Sequence, residues 1–334
     1  MILRRSPGGK AIGLDIGATK IACGVVANDG DPIEVLPPFP TPTSPDETVS
    51  ALRAVIQDLR VRHTDVAAIG VGAAGLIEWP EGRIRWAPNN GYRDLPLRYL
   101  LEDACRLPTV VDNDANVAAW AEAKLGGGPN YMMFLTVGTG VGGGLVLGGQ
   151  LYRGSSGIGG EVGHLIVDPH GGVQCGCGNI GCLEAVASGS AMGRYGREAA
   201  TADPQGALAS LVEDPSEVTG LTVTSAALAG DPVAQSVCRR VGEWLGIGIA
   251  SLVTVLDLQQ VVVGGGVSSL GELLLGPTRA SMRRYIFAGQ HRKAPEIVLA
   301  VQGTNTGWVG AGLLALDQVL GDDLAFDRAQ GDGD

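Results

Sequence analysis

The feature that most constrains the fold of this chain is a pattern that occurs twice. An apolar run, Ala11 to Asp15, leads into Gly17-Ala18-Thr19-Lys20 and then into a second apolar run, Ile21 to Val26. Further on, Tyr131 to Val137 leads into Gly138-Thr139-Gly140 and then into Val141 to Leu147. Short apolar runs joined through a glycine turn read as paired strands. Each pair is followed by strand-like and helix-like segments, so the two rounds predict a duplicated α/β architecture with a cleft between its halves.

We place the boundary at Gly126-Gly127-Gly128-Pro129. This gives an N-terminal α/β domain over 1–126 and a larger C-terminal α/β domain over 127–311. A last helix begins near Thr306, and its part from about 312 to 334 is expected to pack back on the first domain. Within the first round, Asp46 is read as the cap of a helix running to about Arg60, with Val49, Leu52, Val55, Ile56 and Leu59 on one face. Val66 to Val71 reads as a buried strand and Leu95 to Arg106 as a helix. Thr109 to Val111 reads as a strand ending in Asp112-Asn113-Asp114, where a helix starts and runs to about Lys124. In the second round, Trp244 to Val255 reads as a helix and Val261 to Val263 as a strand entering Gly264-Gly265-Gly266.

The length of 334 residues suits two domains. A net charge of −11 disfavours a polyanionic partner such as DNA or RNA. No apolar run has the length of a membrane span, and none has the form of a secretion signal. A cytoplasmic protein with no nucleic-acid or membrane partner is expected. Three of the six cysteines crowd together and three are scattered, which is a metal pattern with buried singles and not a disulfide framework.

The two glycine turns have the chemistry of phosphate loops. Gly17 and the Gly138-Thr139-Gly140 turn let backbone N–H groups face an anion, and Thr19 and Lys20 add donors. Asp15, at a strand end, could hold Mg2+ through water. The spacing is not that of a Walker A loop. Gly265 and Gly266 form a third close-approach turn, equally suited to a purely structural bend or to an adenosine contact.

His164, Cys175, Cys177 and Cys182 supply an imidazole and three thiolates, the donor set of a tetrahedral structural zinc. Glycines between them let a short loop wrap the ion. Glu161 and Glu184 are tethered to this loop, where carboxylates suit bidentate bonding to vicinal sugar hydroxyls. His164 could place one ring nitrogen on zinc and the other toward a ligand. Asp112 or Asp114 could simply cap the helix that follows. Alternatively, Asp114 is a general base that takes a proton from a sugar hydroxyl.

Together these residues resemble the ROK family of sugar kinases and repressors. The motifs are Asp15-Ile16-Gly17-Ala18-Thr19-Lys20, Asp112-Asn113-Asp114-Ala115-Asn116, and Glu161-x-x-His164 with Cys175-Gly176-Cys177-Gly178-x-x-Gly181-Cys182-x-Glu184. The resemblance covers nearly the whole chain. It implies a two-domain, actin-like (ribonuclease-H-like) ATPase fold, ATP with Mg2+ as donor, and a hexose as acceptor. Asp114 would be the catalytic base, and Asn113, Glu161, His164 and Glu184 would hold the sugar. Asn89, in Ala87-Pro88-Asn89, matches the family's sugar-contacting Pro-Asn turn. Cys182-Leu183-Glu184-x-x-Ala187-Ser188-Gly189 is similar to the glucose-phosphorylating members, so phosphorylation of glucose at its 6-hydroxyl is expected. Mannose, fructose, N-acetylglucosamine and N-acetylmannosamine are the alternatives. A sugar-responsive regulator would need a DNA-binding module, for which the residues before the first strand leave no room. The family also implies a homodimer or homotetramer. Two positions depart from its pattern: Ala18 stands where glycine is usual, and Asp112 where glutamate is common.

Overall fold

The computed structural model describes residues 9–87, 90–301 and 303–331. Its first half opens with β1 (Lys10–Ile16) and β2 (Lys20–Ala27), an antiparallel hairpin that closes with Ile16 opposite Ile21. β3 (Pro32–Val35) and the two-residue β4 (Phe39–Pro40) pair with β2. Helix α1 (Pro45–Arg62) follows. Its cap is Ser44 and not Asp46: the Ser44 side chain accepts the N–H of Glu47 at 3.2 Å, and Pro45 supplies a preset φ in the first turn. Asp46 lies inside that turn, where its charge favours the helix dipole.

β5 (Val66–Ala73) and β9 (Thr109–Asn113) then add in parallel, giving the strand order β3-β2-β1-β5-β9. Between them, β6 (Leu76–Glu78), β7 (Arg83–Ala87) and β8 (Tyr92–Leu95) form a separate small antiparallel sheet, followed by α2 (Leu97–Cys105). Leu95, read as the start of a helix, therefore ends a strand. Helix α3 (Asp114–Leu125) leaves β9 at once.

The second half repeats this plan. β10 (Met132–Val137) and β11 (Val141–Leu147) form the hairpin, and β12 (Gln150–Tyr152) pairs on its outer side. Then come α4 (Leu183–Ala187), α5 (Gly189–Ala202), α6 (Gly220–Leu228) and α7 (Pro232–Leu256). Helix α7 starts twelve residues before the apolar stretch that announces it, because Asp231 caps it by accepting from Val233 and Ala234. β13 (Gln260–Gly264), α8 (Glu272–Tyr285), β14 (Glu296–Leu299) and α9 (Thr306–Gly331) complete the chain. The second sheet has the order β12-β11-β10-β13-β14, with β13 and β14 parallel to β10. Apart from β4, which has no counterpart, it has strand for strand the pairing of the first.

The two halves exchange their last helices. α9 packs on β1, β2 and β5 of the first sheet, α3 packs mainly on β10 and β11 of the second, and the two helices cross each other. One apolar core runs through both, from Ala11, Val26 and Ala68 through Val117 and Trp308 to Phe134 and Val262. Strand glycines make this approach possible. A methyl on Gly13 or Gly70 would clash with the Trp308 or Ala311 carbonyl of α9, and one on Gly144 would meet the Ala115 carbonyl of α3 at 2.6 Å.

Candidate active site

Two of three neighbouring parallel strands deliver acidic groups to one end of the first sheet. Asp15 on β1 lies beside Gly72 on β5, which lies beside Asp112 on β9. The chain then turns into α3. Asn113 caps that helix, accepting from Ala115 at 2.8 Å and Asn116 at 3.4 Å. Neither Asp112 nor Asp114 is the cap. Asp112 is buried and accepts the side-chain amide of Asn116 and the N–H of Asn113, both at 2.8 Å. Asp114 is therefore free of the capping task. It accepts the N–H of Ala115, at 2.9 Å.

A cavity of about 580 Å³ opens over this turn. Asn113, Asp114, Glu161, His164, Glu184 and the Gly138-Thr139-Gly140 turn all line it. Gly176 and Cys177 of the cysteine loop form another part of the wall, as do Trp86 and Asn90 from the small sheet. The structure thus brings the expected sugar-site residues into one chamber, apart from Asn89, which lies outside the described residues. Asn90 is the residue the sequence reading missed. It is buried, its Nδ2 reaches the Gly17 carbonyl at 3.4 Å, and its Oδ1 has no partner among the described residues. Its signal was the second amide of an Asn-Asn pair, which nothing local distinguishes from the first.

Burial governs the acids here. Loss of water raises the pKa of Asp114, against the N–H of Ala115. Asp15 is pushed up to about 7 by burial first and by the charge of Asp114 second, with Lys20 opposing both. Two carboxylates held close enough to repel, and only partly answered by one lysine, make a cation site in need of charge. That charge fits a divalent cation such as Mg2+. Glu161 is also raised, by burial before anything else, with His164 opposing.

The two hairpins are braced differently. The Gly17 carbonyl accepts the Thr41 hydroxyl at 2.8 Å, and the Thr19 carbonyl accepts the Thr41 N–H at 3.1 Å. Asp15, Gly17, Thr19 and Lys20 stand outside the cavity wall, although Asp15 feels the Asp114 charge. Ala18 does not have a positive φ, so its methyl costs nothing in backbone strain. In the second hairpin, the Gly138 carbonyl accepts the N–H of Gly189 at 2.7 Å, and the Thr139 carbonyl accepts the Ser190 hydroxyl at 2.8 Å. These bonds place the N-terminus of α5 against the hairpin, with its positive dipole end toward a second cavity of about 630 Å³. Gly138 and Thr139 line both cavities, and Gly266 lines the second. Gly265 lines neither. Its φ of 85° and the crowding of Val137 backbone against it account for the glycine.

The donors of His164, Cys175, Cys177 and Cys182 lie within 4.8 Å of one another. Cys177 and Cys182 sulfurs are 3.6 Å apart, and His164 Nδ1 is 3.7 Å from Cys175 Sγ. Ligands about 2.3 Å from one tetrahedral ion are separated by about this much. Zinc therefore fits. All four protein donors converge, so the ion would be a structural one.

Two sheets of matching topology, exchanged helices and a polar cleft between glycine hairpins define the actin-like ATPase fold. The chain belongs to the ROK family, whose profile matches residues 11–318. It is 40% identical to a glucokinase of Streptomyces coelicolor over 92% of this chain and 98% of that one. It is 37% identical to an N-acetylmannosamine kinase of Escherichia coli over 92% of this chain and 99% of the other. Among solved structures, a ROK glucokinase of Streptomyces griseus in complex with glucose and AMPPNP matches with a TM-score of 0.80 at 40% identity, over 92% of this chain and 99% of that one.

Proposed function

We propose that this chain is a glucokinase, transferring the γ-phosphoryl group of ATP to the 6-hydroxyl of glucose. One observation carries the reading: a single chamber holds Asp114, the carboxylates Glu161 and Glu184 with His164, and the Gly138-Thr139-Gly140 hairpin. Asn113, Glu161, His164 and Glu184, with Asn89, hold the sugar. The hairpin and the second cavity behind it hold ATP. Glucokinase relatives at 40% identity, one of them solved with glucose and AMPPNP, support this choice of substrates.

Asp114 takes the proton of the 6-hydroxyl. The freed oxygen forms a bond to the γ-phosphorus as the bond to the bridging oxygen of ADP breaks. The raised basicity of a desolvated carboxylate suits this task near neutral pH. Lys20 and the backbone N–H groups of both hairpins offset the charge that builds on the phosphoryl oxygens. Mg2+ bound at Asp15 supplies charge neutralisation of the phosphates. Zinc bound by His164 and the three cysteines supplies a fixed loop for the sugar wall. Closure of the halves over the cleft, around a boundary near residues 126–127, excludes water from the transfer.

The reading includes a homodimer or homotetramer, on the base rate of closed symmetric assemblies, which light scattering tests. It also places the protein in the cytoplasm, where a loop of three thiols stays reduced. Among the described residues no helix is long and apolar enough to cross a membrane. ADP release with MgATP, measured for glucose, mannose, fructose, N-acetylglucosamine and N-acetylmannosamine, tests the assignment. Highest kcat/KM for glucose is expected. Preference for N-acetylmannosamine would move the substrate toward the Escherichia coli relative and leave the transfer chemistry in place. No sugar-dependent ADP release would end the kinase reading.

A further inference from the structure

We propose that Arg153 is a positioning residue for phosphoryl transfer, locking the turn that carries Asp114 to the loop that carries Glu161. The roles of those two acids rest on the kinase reading above; the lock itself is read from contacts.

Arg153 follows β12 in the second half of the chain. Its Nε donates to Asp112 Oδ2 in the first half at 2.6 Å. The pair is deep, with side-chain exposures of 10% for Arg153 and 2% for Asp112. Asp112 in turn holds the N–H of Asn113 and the Asn116 amide, and so fixes the first turn of α3 on which Asp114 stands. The guanidinium also lies 3.6 Å over the ring of Trp79, at the end of β6 in the small sheet. One side chain therefore touches the turn of the base and the sheet that lines the sugar chamber.

The loop that begins at Arg153 is fitted to the same place. The N–H of Trp79 donates to the Ser156 carbonyl at 3.2 Å, and a methyl on Gly157, whose φ is 91°, would clash with Trp79 backbone. The loop folds on itself through the Gly159 N–H and the Arg153 carbonyl at 2.8 Å, and delivers Glu161 to the chamber.

A buried ion pair of this kind gives little stability over a well-packed apolar pair. Here one donor, Arg153 Nη2, is buried with no partner among the described residues, which adds a further cost. What the arrangement supplies is a fixed relation between three segments distant in sequence. Small displacements of reacting groups cost large factors in rate.

The test uses Arg153→Met, Arg153→Lys and the double variant Arg153→Met with Asp112→Asn. The single Met variant leaves a buried carboxylate unpaired and is expected to lose thermal stability. The double variant removes both charges and is expected to regain a Tm within a few degrees of the wild type. Positioning predicts that its kcat nevertheless stays about tenfold or more below wild type, with the KM for MgATP changed by less than about twofold. Arg153→Lys, which keeps charge but not the stacked plane, should fall between. Recovery of kcat in the double variant together with Tm would make the pair structural and overturn the proposal. Amide hydrogen exchange at residues 112–118 reads the same relation without turnover: it should quicken in the double variant, and unchanged exchange would also overturn the proposal. A wild-type enzyme that phosphorylates no hexose would defeat the kinase reading alone, since exchange at the α3 turn reports the Arg153 lock directly.

Discussion

Glu184 Oε2 accepts the backbone N–H of Val141 at 2.9 Å, which ties the end of the cysteine loop to the strand leaving the second glycine hairpin. The carboxylate proposed to hold the sugar and the hairpin proposed to hold phosphate are thereby one unit. Gly140 lies under this bond, and a methyl there would clash with Glu184 Oε2. Gly140→Ala should therefore displace the carboxylate while leaving the fold intact. We expect kcat/KM for glucose to fall about 10- to 100-fold with a Tm shift of no more than a few degrees. Unchanged sugar kinetics would show that Glu184 does not need this anchor.

Asp114→Asn keeps an acceptor for the Ala115 N–H but loses the base. Removal of a general base costs about 10²–10⁴ in rate, so kcat should drop by that much while glucose still binds. Trp86 lines the chamber and offers a fluorescence signal for that binding. The pKa of Asp114 is raised, so wild-type kcat/KM should climb with pH as this carboxyl ionises, and that limb should vanish in the variant. Substantial turnover by Asp114→Asn would remove the assignment of the base.

Asp15 links stability to pH. Its carboxyl has a folded pKa of about 7 against an ordinary 3.8. Below pH about 4 it is protonated in both folded and unfolded chains, and its contribution is fully present. As pH rises through 7 the contribution is lost, at most about 4 kcal/mol. Asp15→Asn cannot ionise, so the ligand-free variant should melt several degrees above wild type at pH 8 and level with it near pH 4. The same variant should be nearly inactive with MgATP. A Tm at pH 8 no higher than wild type would show that Asp15 is already compensated in the empty protein.

Much of this was legible because repetition is a long-range signal. Two apolar–glycine–apolar passages announced two sheets, and the cysteine spacing announced a zinc loop, since chemistry there is local in sequence. The small sheet β6–β8 was not read, although Arg83-Ile84-Arg85-Trp86 alternates in polarity, because its strands are short and expose much of their surface. The exchange of α3 and α9 was equally hidden. Gly13, Gly70 and Gly144 carry it, and a glycine inside a strand does not say which helix will press against it. Arg153 looked like any polar residue after a hairpin, because its partner Asp112 lies 41 positions away.

Zinc should be found at one ion per chain by elemental analysis of the purified protein. Chelation, or Cys177→Ser, should cost sugar binding more than ATP binding. The reason is placement: Gly176 and Cys177 line the first cavity, the one proposed to hold the sugar, but not the second cavity behind the Gly138 hairpin. We expect the glucose KM to rise about tenfold or more, in line with the effect of disturbing a site's supporting groups, with restoration on adding zinc back. Equal loss of both substrates would mean that the ion supports the whole lobe and not the sugar wall in particular.

Two glycine-to-alanine changes should separate folding from binding. A methyl on Gly70 has nowhere to go, since the Ala311 carbonyl and the Gly312 N–H of α9 occupy its place. Overpacking of this kind costs about 1–3 kcal/mol or more, so Gly70→Ala should lower the Tm clearly, while the folded fraction keeps near-normal KM values. Gly138 is the opposite case. Beyond its chain neighbours, a methyl there meets no atom of the described residues within 4 Å, and the backbone φ is one that alanine accepts. Its open side faces the two cavities it lines. Gly138→Ala should therefore leave the Tm unchanged and raise the KM for ATP by about tenfold, because the methyl occupies space that a phosphate needs beside the hairpin N–H groups. If Gly138→Ala binds ATP normally, the second hairpin is a structural turn and the phosphates lie elsewhere in the cleft.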